Sequence, residues 1–274
     1  MRYPAKLEAF RNHRDAEAFL SATECIAIAV AAFLGGALNA VAGGGSFITF
    51  PTLVWFGMPA VLANSSSTVA MWPGSLTSAW TYRLEFDRDL KIWRWLFTVS
   101  ALGGFGGARL LLATPAQRFE RLVPFLLLAA TLLFLFGNPA TDWLKRHRGS
   151  RAPTTAPPNQ SWLIVVQFFL SIYGGYFGGG MGIVMLAAFS TLGMRDIHTM
   201  NALKSLLAVA INGVAVVTFI IAGAVRWPQV GIMAAGAMLG GWLGAATARR
   251  VNPKQVRHFV GLVGAILSIW FFIR

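Results

Sequence analysis

The chain of 274 residues is 56% hydrophobic and only 12% charged, with a mean hydropathy of +0.61. A soluble domain carries about 25% charged residues, so this composition belongs to lipid. The net charge of +13 does not point to nucleic acid, because Arg and Lys come in short clusters between apolar runs, where membrane-flanking cations sit. A single cysteine, Cys25, excludes an intrachain disulfide and lacks the neighbours a metal site needs.

In chain order, residues 1–23 form a polar lead-in with Arg2, Lys6, Arg11 and Arg14 and no signal-peptide pattern; it reads as cytoplasmic or interfacial. With about 20 apolar residues needed per crossing, hydrophobic segments follow at 24–42, 60–82, 92–113, 120–137, 162–178, 198–224, 228–248 and 256–273. The expected fold is therefore all-α and polytopic, with about eight hydrophobic segments. Residues 139–160, rich in Lys, Arg and Pro, read as a polar linker between a first transmembrane repeat, 24–138, and a second, 161–274.

The halves match in order. Gly43-Gly44-Gly45 pairs with Gly178-Gly179-Gly180, Asn64 to Ser67 with Asn201 to Lys204, Gly103-Gly104 with Gly240-Gly241, and Thr114-Pro115 with Asn252-Pro253. The offset drifts only from 135 to 138 residues, which marks an internal duplication. Each glycine triplet cuts a long apolar run, so each half opens with a glycine-broken helix or a re-entrant hairpin. Hairpins would make the repeats inverted, whereas a full first crossing would make them parallel. Cation clusters on both sides leave the membrane orientation open.

A helix that restarts after a break exposes unpaired amides and a positive dipole end, which suits an anion. Glycine permits the backbone angles and the close approach this needs. Candidate binding residues are thus Gly43, Gly44, Gly45 and Ser46 in the first half, and Gly178, Gly179, Gly180, Met181 and Gly182 in the second. Asn64, Ser67 and Asn201 add polar groups, and Asn39 either lines a cavity or bonds between helices. Lys204 lies inside an apolar segment, where an unpaired ammonium costs several kcal/mol; it either meets an anion or snorkels toward the interface. Gly103 with Gly107, and Gly240 with Gly244, read as helix-packing positions.

The run Gly35-Gly36-Ala37-Leu38-Asn39-Ala40-Val41-Ala42-Gly43-Gly44-Gly45-Ser46, followed by Pro51, Asn64 and Thr68, resembles the first signature of the TauE/SafE sulfite-exporter-like membrane proteins. Gly174-Gly175-Tyr176-Phe177-Gly178-Gly179-Gly180-Met181-Gly182 with Asn201 to Lys204 resembles the second. That resemblance implies a transporter of small anions such as sulfite, an organosulfonate or a related organic acid.

No catalytic constellation offsets this reading. The four histidines lie far apart near segment ends, the serines lack a neighbouring base, and neither triplet continues into a phosphate-loop Lys-Ser or Lys-Thr. The expectation is a non-enzymatic secondary transporter without cofactor, multi-pass in the inner or plasma membrane, working by alternating access between two repeats. A passive anion channel and a membrane scaffold are the alternatives. The expected partners are lipid and a small anion, not nucleic acid, and glycine-rich faces admit a homodimer.

Overall fold

The computed structural model describes residues 20–41, 43–85, 90–147, 160–191, 194, 197–247 and 253–273. Most of the N-terminal lead-in and linker residues 148–159 lie outside the described residues, as do Arg195 and Asp196. Within them the chain is all-helical, with ten α-helices and no strand. These are α1 (Ala22–Val41), α2 (Ser46–Trp55), α3 (Ala60–Thr81), α4 (Leu90–Ala113), α5 (Ala116–His147), α6 (Gln160–Tyr176), α7 (Met181–Thr191), α8 (Ile197–Ile221), α9 (Trp227–Thr247) and α10 (Pro253–Ile273). Every expected hydrophobic segment falls on a helix, and α2 and α7 are the short pieces that follow the triplets. Among the described residues, four stretches are long and apolar enough to cross a membrane: Ala22–Val41, Trp93–Ala113, Thr199–Ile221 and Trp227–Thr247. Helix α5 continues to His147, beyond the expected segment end at 137.

Local chemistry explains the ends. Ser21 Oγ accepts the Glu24 amide at 3.1 Å and starts α1. At its far end Gly43 takes φ 84° and its amide reaches back to the Leu38 carbonyl at 3.1 Å. Helix α6 closes in the same way, with Gly178 at φ 74° and its amide on the Tyr173 carbonyl at 3.3 Å. A positive-φ glycine that turns the chain and occupies orphan carbonyls is a strong helix stop. Pro73 lies within a helix that runs unbroken from Ala60 to Thr81.

Close packing then fixes directions. On α1 and α9 the contacts rise together. A Cβ on Gly240 would lie 2.0 Å from the Phe33 carbonyl oxygen, and one on Gly244 2.6 Å from that of Ala37. Helices α4 and α6 do the same: a Cβ on Gly103 would meet Ser171 Cβ at 2.6 Å, and one on Gly107 the Ile172 carbonyl at 2.1 Å. The small residues thus serve helix packing, as expected. Helices α3 and α8 run antiparallel, because Trp72 Nε1 donates to the Val209 carbonyl at 3.1 Å while Ser65 Oγ, nearer the start of α3, donates to Ala224 just past the end of α8. Helices α5 and α10 pack on each other and reach α7 and α2 respectively. Phe50, Phe119 and Phe177 fill the space between, with Phe50 stacked on Phe271 at 5.7 Å.

The exposure pattern departs from that of a water-soluble protein, with large apolar side chains outside and polar groups buried among apolar ones. Ile221 and Ile273 are each 81% exposed, whereas Ser65 and Ser66 are 0% and Lys204 2% exposed. On α1 the residues Ile26, Val30 and Leu34, one turn apart, all face outward. Apolar stripes outside and a polar interior are what a bilayer selects.

Candidate functional site: two glycine breaks in contact

The turn after α1 and the start of α7 meet backbone to backbone. A Cβ on Gly43 would lie 2.4 Å from Gly182 Cα, and one on Gly182 would lie 2.6 Å from Gly43 Cα. No side chain larger than hydrogen fits between them. Each break also folds back on its own first helix: a Cβ on Gly45 would meet the Gly35 carbonyl at 2.4 Å, and one on Gly174 the Met181 sulfur at 2.1 Å. Each first helix with its short successor is therefore a hairpin with glycine at its tip.

Helix α7 begins with open donors. The Met181 amide bonds to the Gly178 carbonyl at 3.2 Å and the Ile183 amide to Gly180 at 3.0 Å. Among the described residues the Gly179, Gly180 and Gly182 amides donate to no protein acceptor. Gly178 and Gly180 both have positive φ, 74° and 72°, which a side chain at either would strain. Helix α2 begins with Phe47 bonded to the Gly44 carbonyl at 3.0 Å and Ile48 to Gly45 at 3.1 Å. Ser46 Oγ lies 3.9 Å from where a Gly178 Cβ would sit, so the two hairpin tips share one seam. Gly44 packs on Phe47.

The polar side chains tie each half to the other. Lys204 Nζ donates to the carbonyls of Asn39 at 3.4 Å and Ala40 at 3.1 Å, and to Asn201 Oδ1 at 3.0 Å. An ammonium has three N–H donors, and here it has three acceptors. Two are last-turn carbonyls of α1, where the helix dipole is negative. Lys204 therefore neither snorkels nor sits unpaired; it caps the first helix of the other half. Asn64 does the same in the opposite direction, with Nδ2 donating to the Tyr176 carbonyl at the end of α6 at 3.1 Å. Asn39 bonds between helices, to Ser75 Oγ at 3.3 Å. Ser67 Oγ lies 2.7 Å from Thr49 Oγ1 and ties α3 to α2.

The seam thus brings together the glycines, Ser46, Asn201 and Lys204. Ser67 and Asn39 are engaged in structural bonds, and the Met181 side chain packs on Gly174. Two contributors lie outside the sequence reading: Tyr173 donates its hydroxyl to the Gly179 carbonyl, and Tyr176 presents the carbonyl that Asn64 holds. Ser66, part of the polar run Asn64 to Ser67, accepts the Arg226 amide on its Oγ at 2.9 Å. A signal for the tyrosines existed, since two of only four in the chain flank the second glycine run.

A polar, glycine-lined interior inside a lipid-facing helical shell defines a multi-pass membrane protein. The sulfite exporter TauE/SafE family pattern matches residues 28–271, and the chain belongs to that family. It is 28% identical over 240 residues to a probable membrane transporter protein of Haemophilus influenzae, covering 86% of this chain and 89% of the relative. Similarity to the probable membrane transporter protein ORF9 of a Sinorhizobium species is 27% over 88% of this chain and 89% of that one. The probable membrane transporter protein YfcA of Escherichia coli K12 is 24% identical over 86% of this chain and 85% of its own. No solved structure matches the chain.

Proposed function

We propose that this protein is a secondary transporter of a small anion such as sulfite, an organosulfonate or a related organic acid, and that it works by alternating access between two inverted repeats. The observation that carries the reading is the contact of the two glycine tips at Gly43 and Gly182, beside the buried Lys204. Amides without protein acceptors at a helix start and a cation in a low-dielectric interior are complementary to an oxyanion. The names of the family and of its relatives agree with transport.

Exchange symmetry supports the repeats. Swapping α1 to α5 for α6 to α10 turns the α1–α9 contact into α6–α4 and the α3–α9 contact into α8–α4, and both pairs occur. Helices α3 and α8 are equivalent under the swap and run antiparallel, which favours the inverted form over the parallel one. Inverted halves meeting at broken helices are a recurrent basis for rocking transporters.

In the arrangement described, Lys204 is held by α1 carbonyls. An arriving anion takes over part of that role, with the Gly179, Gly180 and Gly182 amides as its further donors, and so loosens the tie between halves. The test is accumulation of labelled sulfite, sulfoacetate, taurine, sulfate, thiosulfate and short carboxylates in proteoliposomes containing the full chain. Uphill accumulation of one of them supports the proposal. Flux that only equilibrates makes the protein a channel, and no flux from the whole panel contradicts anion transport.

A further inference from the structure

A second recess lies away from the seam, where the α2–α3 turn, the start of α5 and the end of α10 converge. It is a cavity of about 820 Å³, lined by the apolar Val54, Met58, Phe125 and Phe271 and by the polar Gln117, Glu120 and Arg121. This volume is in the range of about 300–1,000 Å³ typical of small-ligand sites. Its depth is set by neighbouring aromatics. Trp55 and Trp270 pair at 5.5 Å beside it, and Trp55 is 66% exposed at the end of its helix. Tryptophans in such positions sit at headgroup level. Phe125 and Phe272 meet edge to face at 5.1 Å, each at least half exposed, and extend the apolar wall outward.

We infer that this cavity binds a zwitterionic amine phospholipid, phosphatidylethanolamine in type, and that it is a lipid site distinct from the anion seam. Charge complementarity selects this headgroup. Arg121 and Glu120 are adjacent in the lining, one positive and one negative, as the phosphate and the primary ammonium are adjacent in that headgroup. The guanidinium binds the phosphate with its planar donors, and the carboxylate accepts the ammonium N–H groups. An acyl chain continues along Phe125 and Phe272. A uniformly anionic headgroup would meet Glu120, and an uncharged amphiphile would leave both charges unused.

The experiment is native mass spectrometry of the full-length protein titrated with palmitoyl-oleoyl phosphatidylethanolamine and with the matching phosphatidylglycerol. The expected result is one phosphatidylethanolamine retained per chain in preference to phosphatidylglycerol, with retention reduced at least tenfold in Arg121→Gln. In Glu120→Gln the preference reverses toward phosphatidylglycerol, a change of selectivity that a merely structural role would not produce. Both side chains are exposed, and gel filtration with thermal melting verifies that the variants fold. Equal retention in the parent and both variants overturns the proposal, as does a parent preference for phosphatidylglycerol. If the recess seats residues 1–19 of the chain itself, phosphatidylethanolamine binds only after their deletion, which also overturns it.

Discussion

Gly43 and Gly182 stand so close that the Cβ of an alanine at either would fall inside the other's backbone, at 2.4 and 2.6 Å from the opposing Cα. Their separation is a property of both halves at once. Gly182→Ala places its methyl against Gly43 and the Lys204 stem, where overpacking costs about 1–3 kcal/mol. We expect at least a tenfold loss of anion accumulation. Gly231→Ala is the control, since nothing lies within 4 Å of its Cβ position, and its accumulation should match the parent.

Backbone strain and steric overlap separate at two other positions. Gly178 has φ 74° but the atom nearest a new Cβ there is the Gly174 carbonyl oxygen at 3.2 Å, whereas Gly43 combines φ 84° with the 2.4 Å overlap. Gly178→Ala should cost about 1–2 kcal/mol from the left-handed conformation alone. Gly43→Ala should cost more. Thermal melting of the two purified variants checks the order, and equal losses would contradict the geometry.

The cross-half caps make a different prediction. Asn64→Ala leaves the part-buried Tyr176 carbonyl without its donor, at a cost of about 1–3 kcal/mol. Ser78→Ala removes a hydroxyl that bonds within α3 and to the Gly241 carbonyl at 3.2 Å, away from the hairpin tips. Both variants should melt earlier than the parent, and only Asn64→Ala should also reduce accumulation. Parallel losses of accumulation in the two would reduce Asn64 to a general stability residue.

Inverted halves require particular faces. With α3 and α8 antiparallel, Leu84 after α3 and Gly223 after α8 belong to opposite sides of the membrane. Single cysteines at these positions in a Cys25→Ala background, treated with an impermeant thiol reagent in sealed vesicles, should label from opposite sides. Labelling of both from one side would contradict the inverted arrangement.

Much of this was legible from the residues. The triplets marked both helix stops because consecutive glycines weaken a helix, and the apolar runs fell on helices, although α5 continues past its run to His147. The packing glycines were readable from their spacing with small neighbours. What Lys204 touches was not. Sequence showed a cation in an apolar helix and suggested a missing anion or a path to the interface, but besides Asn201 its acceptors are the carbonyls of Asn39 and Ala40, 165 and 164 residues earlier in the chain. Backbone acceptors carry no sequence signature. The same holds for Asn64, whose partner is a carbonyl at Tyr176. The run Asn64 to Ser67 looked like one polar patch, yet its members bond to α6, the α8–α9 turn and α2 separately, because successive helical residues point in different directions.

The central claim is that an anion binds at the glycine seam with Lys204. The most direct measurement is the melting temperature of the purified full-length protein against the anion panel, in parallel with Lys204→Ala. A ligand at about 100 times its dissociation constant adds about 2.7 kcal/mol, or about 5 °C or more in a protein of this size. The account predicts such a shift for one anion in the parent and its loss in Lys204→Ala; an equal shift in both, or none with any anion, would contradict it.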